Sequence, residues 1–445
     1  MNRSSPASLL AVFALTFALI GSASVFADVP PTRLGLSDLY ATTVEGSDRV
    51  RTRSAEKLQV EEVKSQGNSA FLPQISGVAT YLKSDQPGLT LGSGGGTGGT
   101  GGSNSAASFS DTQKTLKLTG KEYLFNGGRE YAYLSRTNRL LEAKDAQLAG
   151  SRQQYYLDLA NAYYDTLLKQ AEVVHATTEL RLYDEQITEL RSRVSIGRSR
   201  SSDLLTAEAS RAGSAGTLRA AESALSTSRL NLANVARIAP NFELREESPS
   251  ETPLATLEEY IQLGGQRPDL IAARKNRDAA SEDIAYQRGG HFPTVDLTGN
   301  YYVHREGVAN PSKWDATVTL AVPIFSGGLT QSAVRQSAAV LLATEVETGR
   351  LERTNQSDIR ALYQNLLNSE IELKAFREAV ELAQKSYDQT RKDYRYGLTT
   401  NLDLLNSLKT LTEAKRNYDQ AKYRHFLERI QIEVAAGRIP PTRAT

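Results

Sequence analysis

The sequence of 445 residues contains no cysteine, a single methionine and a single tryptophan. The absence of cysteine excludes disulfide scaffolds, thiolate metal sites, thiol nucleophiles and a cysteine-linked lipid anchor. Long apolar runs are scarce as well, because none beyond the first 27 residues approaches the roughly 20 residues that a membrane helix needs. Any contact with a membrane would therefore come from β-structure.

An excess of charge of either sign is also missing, since the chain has 52 Lys plus Arg and 51 Asp plus Glu. Residues 1–27 are typical of a signal peptide, with Arg3 before an apolar stretch and Val25-Phe26-Ala27 as a cleavage site. Their removal would take away one basic residue and leave 51 charges of each sign. We therefore expect an exported, neutral chain, which gives no electrostatic reason to bind nucleic acid or an anionic membrane surface.

Patterns that carry catalysis or cofactor binding are missing too. The four histidines are scattered without an i, i+4 pair, so a metal site is not indicated. The Gly-rich run 91–103 is not followed by Gly-Lys-Ser or Gly-Lys-Thr, and it indicates a surface loop or a disordered spacer instead of a phosphate-binding loop. No Gly-x-Ser-x-Gly motif is present. We expect no enzyme activity, no cofactor and no metal.

The sequence contains an internal duplication. Leu124-Phe125-Asn126-Gly127-Gly128 matches Ile324-Phe325-Ser326-Gly327-Gly328 at a spacing of 200 residues, and Phe71-Leu72-Pro73 matches His291-Phe292-Pro293 at 220. The difference places about 20 extra residues in the first copy, where the Gly-rich run lies. The predicted organisation is a signal peptide (1–27), a first structural repeat (28–240), a linker (241–253), a second structural repeat (254–438) and a C-terminal tail (439–445).

Each repeat is predicted to run helix, strand, loop, strand, very long helix, tip and helix. The strands are expected at about 71–83 and 114–125, then at about 294–304 and 313–322. The helices are expected over 36–69, 128–195 and 202–237, then over 254–290, 328–395 and 401–435. The long helices would span roughly 100 Å and the short ones roughly 50 to 55 Å. Two short helices placed end to end would thus pair with one long helix in a rod.

A seven-residue apolar period supports the rod. In the second repeat it comprises Ile359, Leu366, Leu373, Val380, Tyr387 and Tyr394, and in the first Leu159, Thr166, Val173, Leu180, Ile187 and Val194. The last helix repeats the period with Leu404, Leu411, Tyr418, His425 and Ile432. Such a sustained period predicts coiled-coil packing with a left-handed supercoil.

The tips of the two helical hairpins, at 196–203 and 396–403, are the most similar parts of the repeats. In both, a helix stops at Gly197 or Gly397, a polar turn follows, and Asp203 or Asp403 comes six residues after the glycine. Glycine would adopt the left-handed backbone conformation that ends the first helix. Ser202 or Asn401 could cap the next helix, and the acid would lie in the first turn of that helix.

The strands alternate between apolar and polar residues. Val295, Leu297, Gly299, Tyr301 and Val303 would face one way, and Thr294, Asp296, Thr298, Asn300, Tyr302 and His304 the other. One such strand could equally be half-buried in a soluble sheet, whereas four in two hairpins favour an outer-membrane barrel. Four strands cannot close a membrane barrel, so the barrel would be shared, and three chains would supply about twelve strands.

At these residues the mature chain resembles the TolC-like outer membrane efflux protein family. The resemblance rests on the duplication, Arg267-Pro268-Asp269-Leu270, the Phe-Pro before each first strand, Val322 to Gly328, and the second tip up to Leu405. It implies a homotrimer with a 12-stranded barrel in the outer membrane of a Gram-negative bacterium and a helical tunnel across the periplasm. It also implies docking of the tips, Gly197, Arg198, Ser199, Gly397, Leu398 and Thr399, onto a periplasmic adaptor protein that is joined to an inner-membrane transporter.

By the same resemblance, Tyr394 and Asp203 match residues that hold a periplasmic entrance shut, and Asp403 matches an acidic ring at its constriction. Some members carry a second acid where this chain has Asn406. Two plainer interpretations stay open: that both acids are ordinary first-turn residues of a helix, and that Tyr394 is only the last residue of the heptad seam.

The leading functional hypothesis is a passive exit duct of a tripartite efflux or type I secretion system. The alternative is a periplasmic coiled-coil adaptor or spacer without a pore. Adaptors usually contain one hairpin between small β-domains, whereas this chain has two hairpins and barrel-like strands. The transported substrate and the energy source of the transporter are not encoded in any motif of this chain.

Overall fold

A computed structural model describes residues 33–83, 112–249, 253–306 and 312–439. The expected signal peptide at 1–27 and the Gly-rich run at 91–103 lie outside the described residues. None of the helices in the described ranges is both long and apolar enough to cross a membrane.

The described part of the first repeat contains β1 (Arg33–Leu34), α1 (Leu36–Thr43), α2 (Asp48–Asn68), β2 (Gln74–Lys83), β3 (Thr112–Asn126), α3 (Arg129–Ser195) and α4 (Ser201–Ala236). The linker contains β4 (Glu243–Leu244). The second repeat follows with α5 (Leu257–Gly264), α6 (Pro268–Arg288), β5 (Thr294–Glu306), β6 (Trp314–Ala321), α7 (Leu329–Tyr396) and α8 (Asn401–Ala435). The mainly helical fold with four long strands agrees with the predicted fold class.

Two of the expected helices are each broken into two, so the prediction of single helices over 36–69 and 254–290 was wrong. The first break is a short 3₁₀ turn at Val44–Gly46, after which Ser47 caps α2 by accepting a hydrogen bond from the Val50 amide at 3.3 Å. The second lies between Gly264 and Pro268, where α6 begins with proline at its first position. Proline has a fixed φ and no amide hydrogen, so it starts a helix more readily than it continues one.

The long helices organise the rod. α3 has 67 residues and α7 has 68, so each spans roughly 100 Å. Along its length α3 packs against α2 and α6 towards the sheet and against α4 and α8 towards the tips, while α7 packs against α5, α6 and α8. Shorter helices arranged end to end therefore cover each long one, as the predicted lengths indicated.

The heptad positions lie inside this packing. Ile359, Leu366, Tyr387 and Tyr394 on α7 are buried, and Leu373 and Val380 are half-buried. The same positions of α3 and α8 are buried or half-buried without exception. The seven-residue period thus identified the interior seams correctly.

The four long strands form one antiparallel sheet in the order β2-β3-β5-β6. The central pair joins the two repeats, with Leu118 opposite Tyr301 and Thr119 opposite Asn300. β2 and β6 are the edges, and no described strand pairs with their outer sides. The sheet is therefore open within one chain.

One residue of the predicted alternation points the other way. The register shifts between Leu116 and Lys117, so that Leu116 pairs with His304 and Lys117 with Tyr302. This bulge at Val303 reverses the later side chains of β5, because an extra residue changes the alternation by one. His304 therefore shares the face of Leu116, and Arg305 takes the polar face instead.

A buried tyrosine cluster lies midway along the rod, where the linker crosses α3. Its rings are those of Tyr40, Tyr155, Tyr156, Tyr163, Tyr164 and Tyr423. The Tyr163 hydroxyl donates to the carbonyl of Arg245, and that of Tyr164 to the carbonyl of Glu247 at 2.9 Å. These bonds attach the linker to the middle of the longest helix of the first repeat.

Candidate functional site

Glycine ends the long helix at both tips. Gly197 and Gly397 each have a φ of +77°, in the left-handed region that other residues adopt at a cost. The amide of Arg198 then donates to the carbonyl of Arg193 at 2.8 Å, and that of Leu398 donates to Asp393 at 2.9 Å. The chain can therefore reverse within a few residues and start the returning helix.

The returning helices begin differently from each other and from the prediction. α4 has Arg200 at its N-cap without a side-chain cap, and α8 has Thr400 there. The Thr400 hydroxyl accepts a hydrogen bond from the Asp403 amide at 3.2 Å. The expected caps Ser202 and Asn401 were wrong because both residues already lie inside the helix.

The carboxylate of Asp403 is engaged by its own tip. Its Oδ2 accepts hydrogen bonds from the Thr399 hydroxyl at 2.9 Å, the Thr400 hydroxyl at 2.6 Å and the Thr400 amide at 3.0 Å. These donors, those of Thr400 first, lower the pKa of Asp403 below its ordinary value. The equivalent Asp203 accepts only a weaker bond from Ser199 at 3.3 Å. Asp403 is thus a helix-capping residue, and Asp203 is the freer acid.

Tyr394 is buried in the interface between the two helical hairpins. It is 6% exposed, and the guanidinium of Arg193 is 4.7 Å from the centre of its ring. Burial raises the pKa of Tyr394, and the Asp203 carboxylate adds to the effect, while Arg193 and a hydrogen bond from Gln186 oppose it. The structure therefore brings Tyr394, Asp203 and Gln186 into one neighbourhood.

A buried pair of amide side chains joins the hairpins beside Tyr394. Gln186 donates from Nε2 to Oδ1 of Asn401 at 3.0 Å, and Asn401 donates from Nδ2 to the backbone carbonyl of Asp203 at 3.3 Å. Sequence reasoning did not select Gln186 or Arg193 and gave Asn401 only a capping role. The available signal was a pair of polar residues, Gln186 beside the seam residue Ile187 and Asn401 at the start of α8.

Polar contacts between the hairpins continue towards the middle of the rod. Arg391 of α7 bonds Glu185 at 3.2 Å, Arg416 of α8 bonds Glu179 at 3.1 Å, and His175 bonds Asp419 at 2.5 Å. Each of these pairs involves α3. The first hairpin is thus attached to the second along the shared face of α3.

The predicted docking residues lie at the free end of both hairpins. Gly197, Arg198, Gly397 and Leu398 are exposed, and Ser199 and Thr399 are half-buried. The two tips differ in chemistry, since Arg198 and Arg200 make the first one basic, whereas Leu398 is apolar and 76% exposed.

Comparison with known proteins identifies relatives along almost the whole chain. The outer membrane efflux protein family matches residues 261–438. The outer membrane protein TolC of Vibrio cholerae is 24% identical over 422 residues, which cover 91% of both chains. The alkaline protease secretion protein AprF of Pseudomonas aeruginosa is 23% identical over 424 residues, covering 91% of this chain and 84% of AprF.

Solved structures show the same fold. The outer membrane protein VceC of Vibrio cholerae superposes with a TM-score of 0.76 at 17% identity, over 91% of this chain and 97% of VceC. CusC gives a TM-score of 0.76 at 14% identity, over 92% of this chain and 96% of CusC. The duplicated architecture, the two tips and these matches together show that the chain is similar to the TolC-like outer membrane efflux proteins along almost its whole length.

Proposed function

We propose that three copies of this chain form the exit channel of a tripartite efflux or type I secretion system. The channel crosses the outer membrane of a Gram-negative bacterium and extends into the periplasm. Substrates enter from a pump complex at the tips, pass through the helical tunnel and leave through the barrel. The family is one of transport channels. In the proposed system the energy for transport comes from the partner.

The open, one-sidedly apolar sheet carries this proposal. Its outer face carries the exposed apolar residues Ile75, Tyr81, Leu116, Leu118, Tyr301, Trp314, Val318 and Leu320. The strands have 8 to 15 residues, which suits the 9 to 11 or so that a tilted strand needs to cross a membrane. An open edge in lipid leaves backbone groups unpaired at a cost of several kcal/mol each. Closure with two further copies, giving twelve strands, removes both edges.

Aromatic side chains gather at one end of the outer face. Tyr81, Tyr301 and Trp314 are 65%, 55% and 69% exposed, at the end of the sheet far from the helices. Such rings sit at the boundary between lipid and water in outer-membrane barrels. Because α3 and α7 extend from the other end of the sheet into the periplasm, the end that carries these rings faces the cell exterior.

The helical tips are the proposed contact with the pump. A periplasmic adaptor protein docks at Gly197, Arg198, Ser199, Gly397, Leu398 and Thr399, and it connects the channel to an inner-membrane transporter. The relatives include a protein named for an antibiotic efflux pump and two named for protease secretion. These names support either an efflux transporter or a protein-secretion transporter as the partner. The position of the six residues at the free end of the hairpins supports their role as the docking surface.

The proposed gate lies just above the tips. Its residues are Tyr394, Asp203 and Asp403. Gln186, Asn401 and the backbone carbonyl of Asp203 link the two hairpins beside Tyr394. Asp403 fixes the start of α8 and adds negative charge at the constriction. Separation of the hairpins opens the entrance.

A direct test is to purify the protein in detergent, measure its mass and add it to a planar lipid bilayer. The proposal expects a detergent-dependent trimer that conducts ions. A water-soluble monomer without conductance would contradict it and favour the adaptor or spacer instead. A matched pair of variants locates the membrane: Val318→Lys, in the middle of β6 on the outer face, should impair insertion, and Thr317→Lys, beside it on the inner face, should not.

A further inference from the structure

The inner face of the sheet carries an ordered polar network that crosses three strands. Asn300 of β5 is its centre. Its Oδ1 accepts hydrogen bonds from Lys117 Nζ at 3.0 Å and from the Thr119 hydroxyl at 2.9 Å. Its Nδ2 donates to Asp315 at 2.8 Å, and the second oxygen of Asp315 accepts from the Tyr302 hydroxyl at 2.7 Å. Five side chains are thereby held in fixed positions.

Three further charged groups lie on the same face. The bulge in β5 turns Arg305 inward, where its guanidinium stacks 3.8 Å from the centre of the Tyr302 ring. Nearer the helices, Lys121 lies 3.6 Å from Asp296. Stacking and pairing hold these side chains against the sheet, so their charges stay at defined depths.

The inner face has more positive than negative groups. Among the described strand residues its cations are Lys117, Lys121 and Arg305, and its anions are Asp296 and Asp315. The remaining inward residues of the strands are uncharged. The described strands thus contribute one excess positive charge per chain, and three in a three-fold assembly.

The proposed barrel is narrow enough for these charges to act on solutes that pass through it. Twelve strands about 4.8 Å apart and tilted by about 40° enclose a backbone cylinder roughly 24 Å across. Inward side chains narrow it further. The Debye length is about 10 Å at 0.1 M salt, so the field of wall charges reaches the axis of the bore. At 1 M salt the Debye length falls to about 3 Å, and the field of the wall charges no longer reaches the axis of the bore.

We infer that Lys117, Lys121 and Arg305 form a belt of fixed positive charge in the barrel that favours the passage of anionic over cationic solutes. The inference rests on the proposed trimeric channel. It assigns a selectivity element to the membrane part of the channel, separate from the gate at the tips. The hydrogen bonds of Asn300 and Asp315 position the belt and also fix the register of the three strands.

The test measures the anion-to-cation permeability ratio from reversal potentials across a tenfold KCl gradient in planar bilayers. The variant Lys117→Gln with Lys121→Gln changes the inward residues of the described strands from one excess positive to one excess negative charge per chain. Its permeability ratio should fall at least about twofold near 0.1 M salt and be unchanged near 1 M. Lys114→Gln is the matched control, since Lys114 is on the same strand and faces outward. All three proteins have identical tips, so a difference between them reports on the barrel.

Two results would overturn the inference: an unchanged ratio in the double variant, or an equal change in Lys114→Gln. Absence of conductance in the unmodified protein would instead contradict the proposed channel itself. If the double variant fails to assemble, Ser76→Lys supplies the second measurement. It adds an inward positive charge opposite Thr119 and removes no hydrogen bond of the network, and its ratio should rise. An unchanged ratio in an assembled Ser76→Lys trimer would equally refute the belt.

Discussion

The side-chain amide of Gln186 in α3 donates a 3.0 Å hydrogen bond to the amide oxygen of Asn401 in α8, and both side chains are buried. Asn401 also donates to the backbone carbonyl of Asp203 in α4. Three helices from both hairpins are therefore joined at one asparagine. An amide that loses its partner in such a place keeps its desolvation cost, which makes the contact a sensitive point of the proposed gate.

The first prediction concerns this asparagine. Asn401→Ala leaves the buried Gln186 unpaired, which should cost about 1–3 kcal/mol and loosen the hairpins. We expect a higher resting conductance in planar bilayers and a lower unfolding temperature. Asn406→Ala, at an exposed position of the same helix, is the control and should change neither. Equal conductance in the two variants would remove Asn401 from the gate.

The second prediction concerns the gate residues selected from the sequence. Asp203→Ala and Tyr394→Phe, combined, remove a carboxylate and a hydroxyl from the region between the hairpins. Resting conductance should rise, since the buried hydroxyl near Gln186 and the nearby acid are lost together. Tyr396→Phe makes the same chemical change at an 80% exposed ring and should have no effect. Unchanged conductance in a correctly assembled trimer would exclude Asp203 and Tyr394 from gating.

The third prediction is a pH dependence at the second tip. The pKa of Asp403 is lowered in the folded protein, so its ionised form stabilises the start of α8. That stabilisation is complete above the ordinary pKa of 3.8 and is lost as pH falls through the lower folded value. Amide hydrogen exchange in the first turn of α8 should therefore become less protected below about pH 4. Asp403→Asn should abolish this dependence; a transition that survives in the variant would contradict the assignment.

The fourth prediction separates two glycines that the sequence makes equivalent. Gly127 and Gly327 have φ values of +66° and +62° at the two junctions between strand and helix. A Cβ on Gly127 would lie 2.1 Å from the carbonyl oxygen of Gly289, whereas one on Gly327 would meet nothing within 4 Å. Gly327→Ala should cost roughly 1–2 kcal/mol of left-handed strain, and Gly127→Ala clearly more. The measurement is the unfolding temperature and the trimer yield of each variant, and equal losses would contradict the prediction.

Much of the architecture could be read from repetition. The 200-residue spacing located both hairpins, the seven-residue period identified the interior seams, and the alternation located all four strands within a few residues. Each of these signals is periodic, and a period survives small errors at single positions. The helix breaks near Val44 and at Pro268 escaped this reasoning because each is decided by one or two residues inside an otherwise helical run.

The sequence by itself determined a duplicated chain of long helices and alternating strands, with glycine at each tip and an acid three residues into each returning helix. Only the tertiary structure decided what those residues contact. Asp203 and Asp403 occupy the same place in the repeat, yet Thr399 and Thr400 bind the second carboxylate while the first stays freer. Likewise, one bulge at Val303 moved Arg305 to the inner face. Such choices depend on side chains from distant segments, and spacing along a single chain carries no information about them.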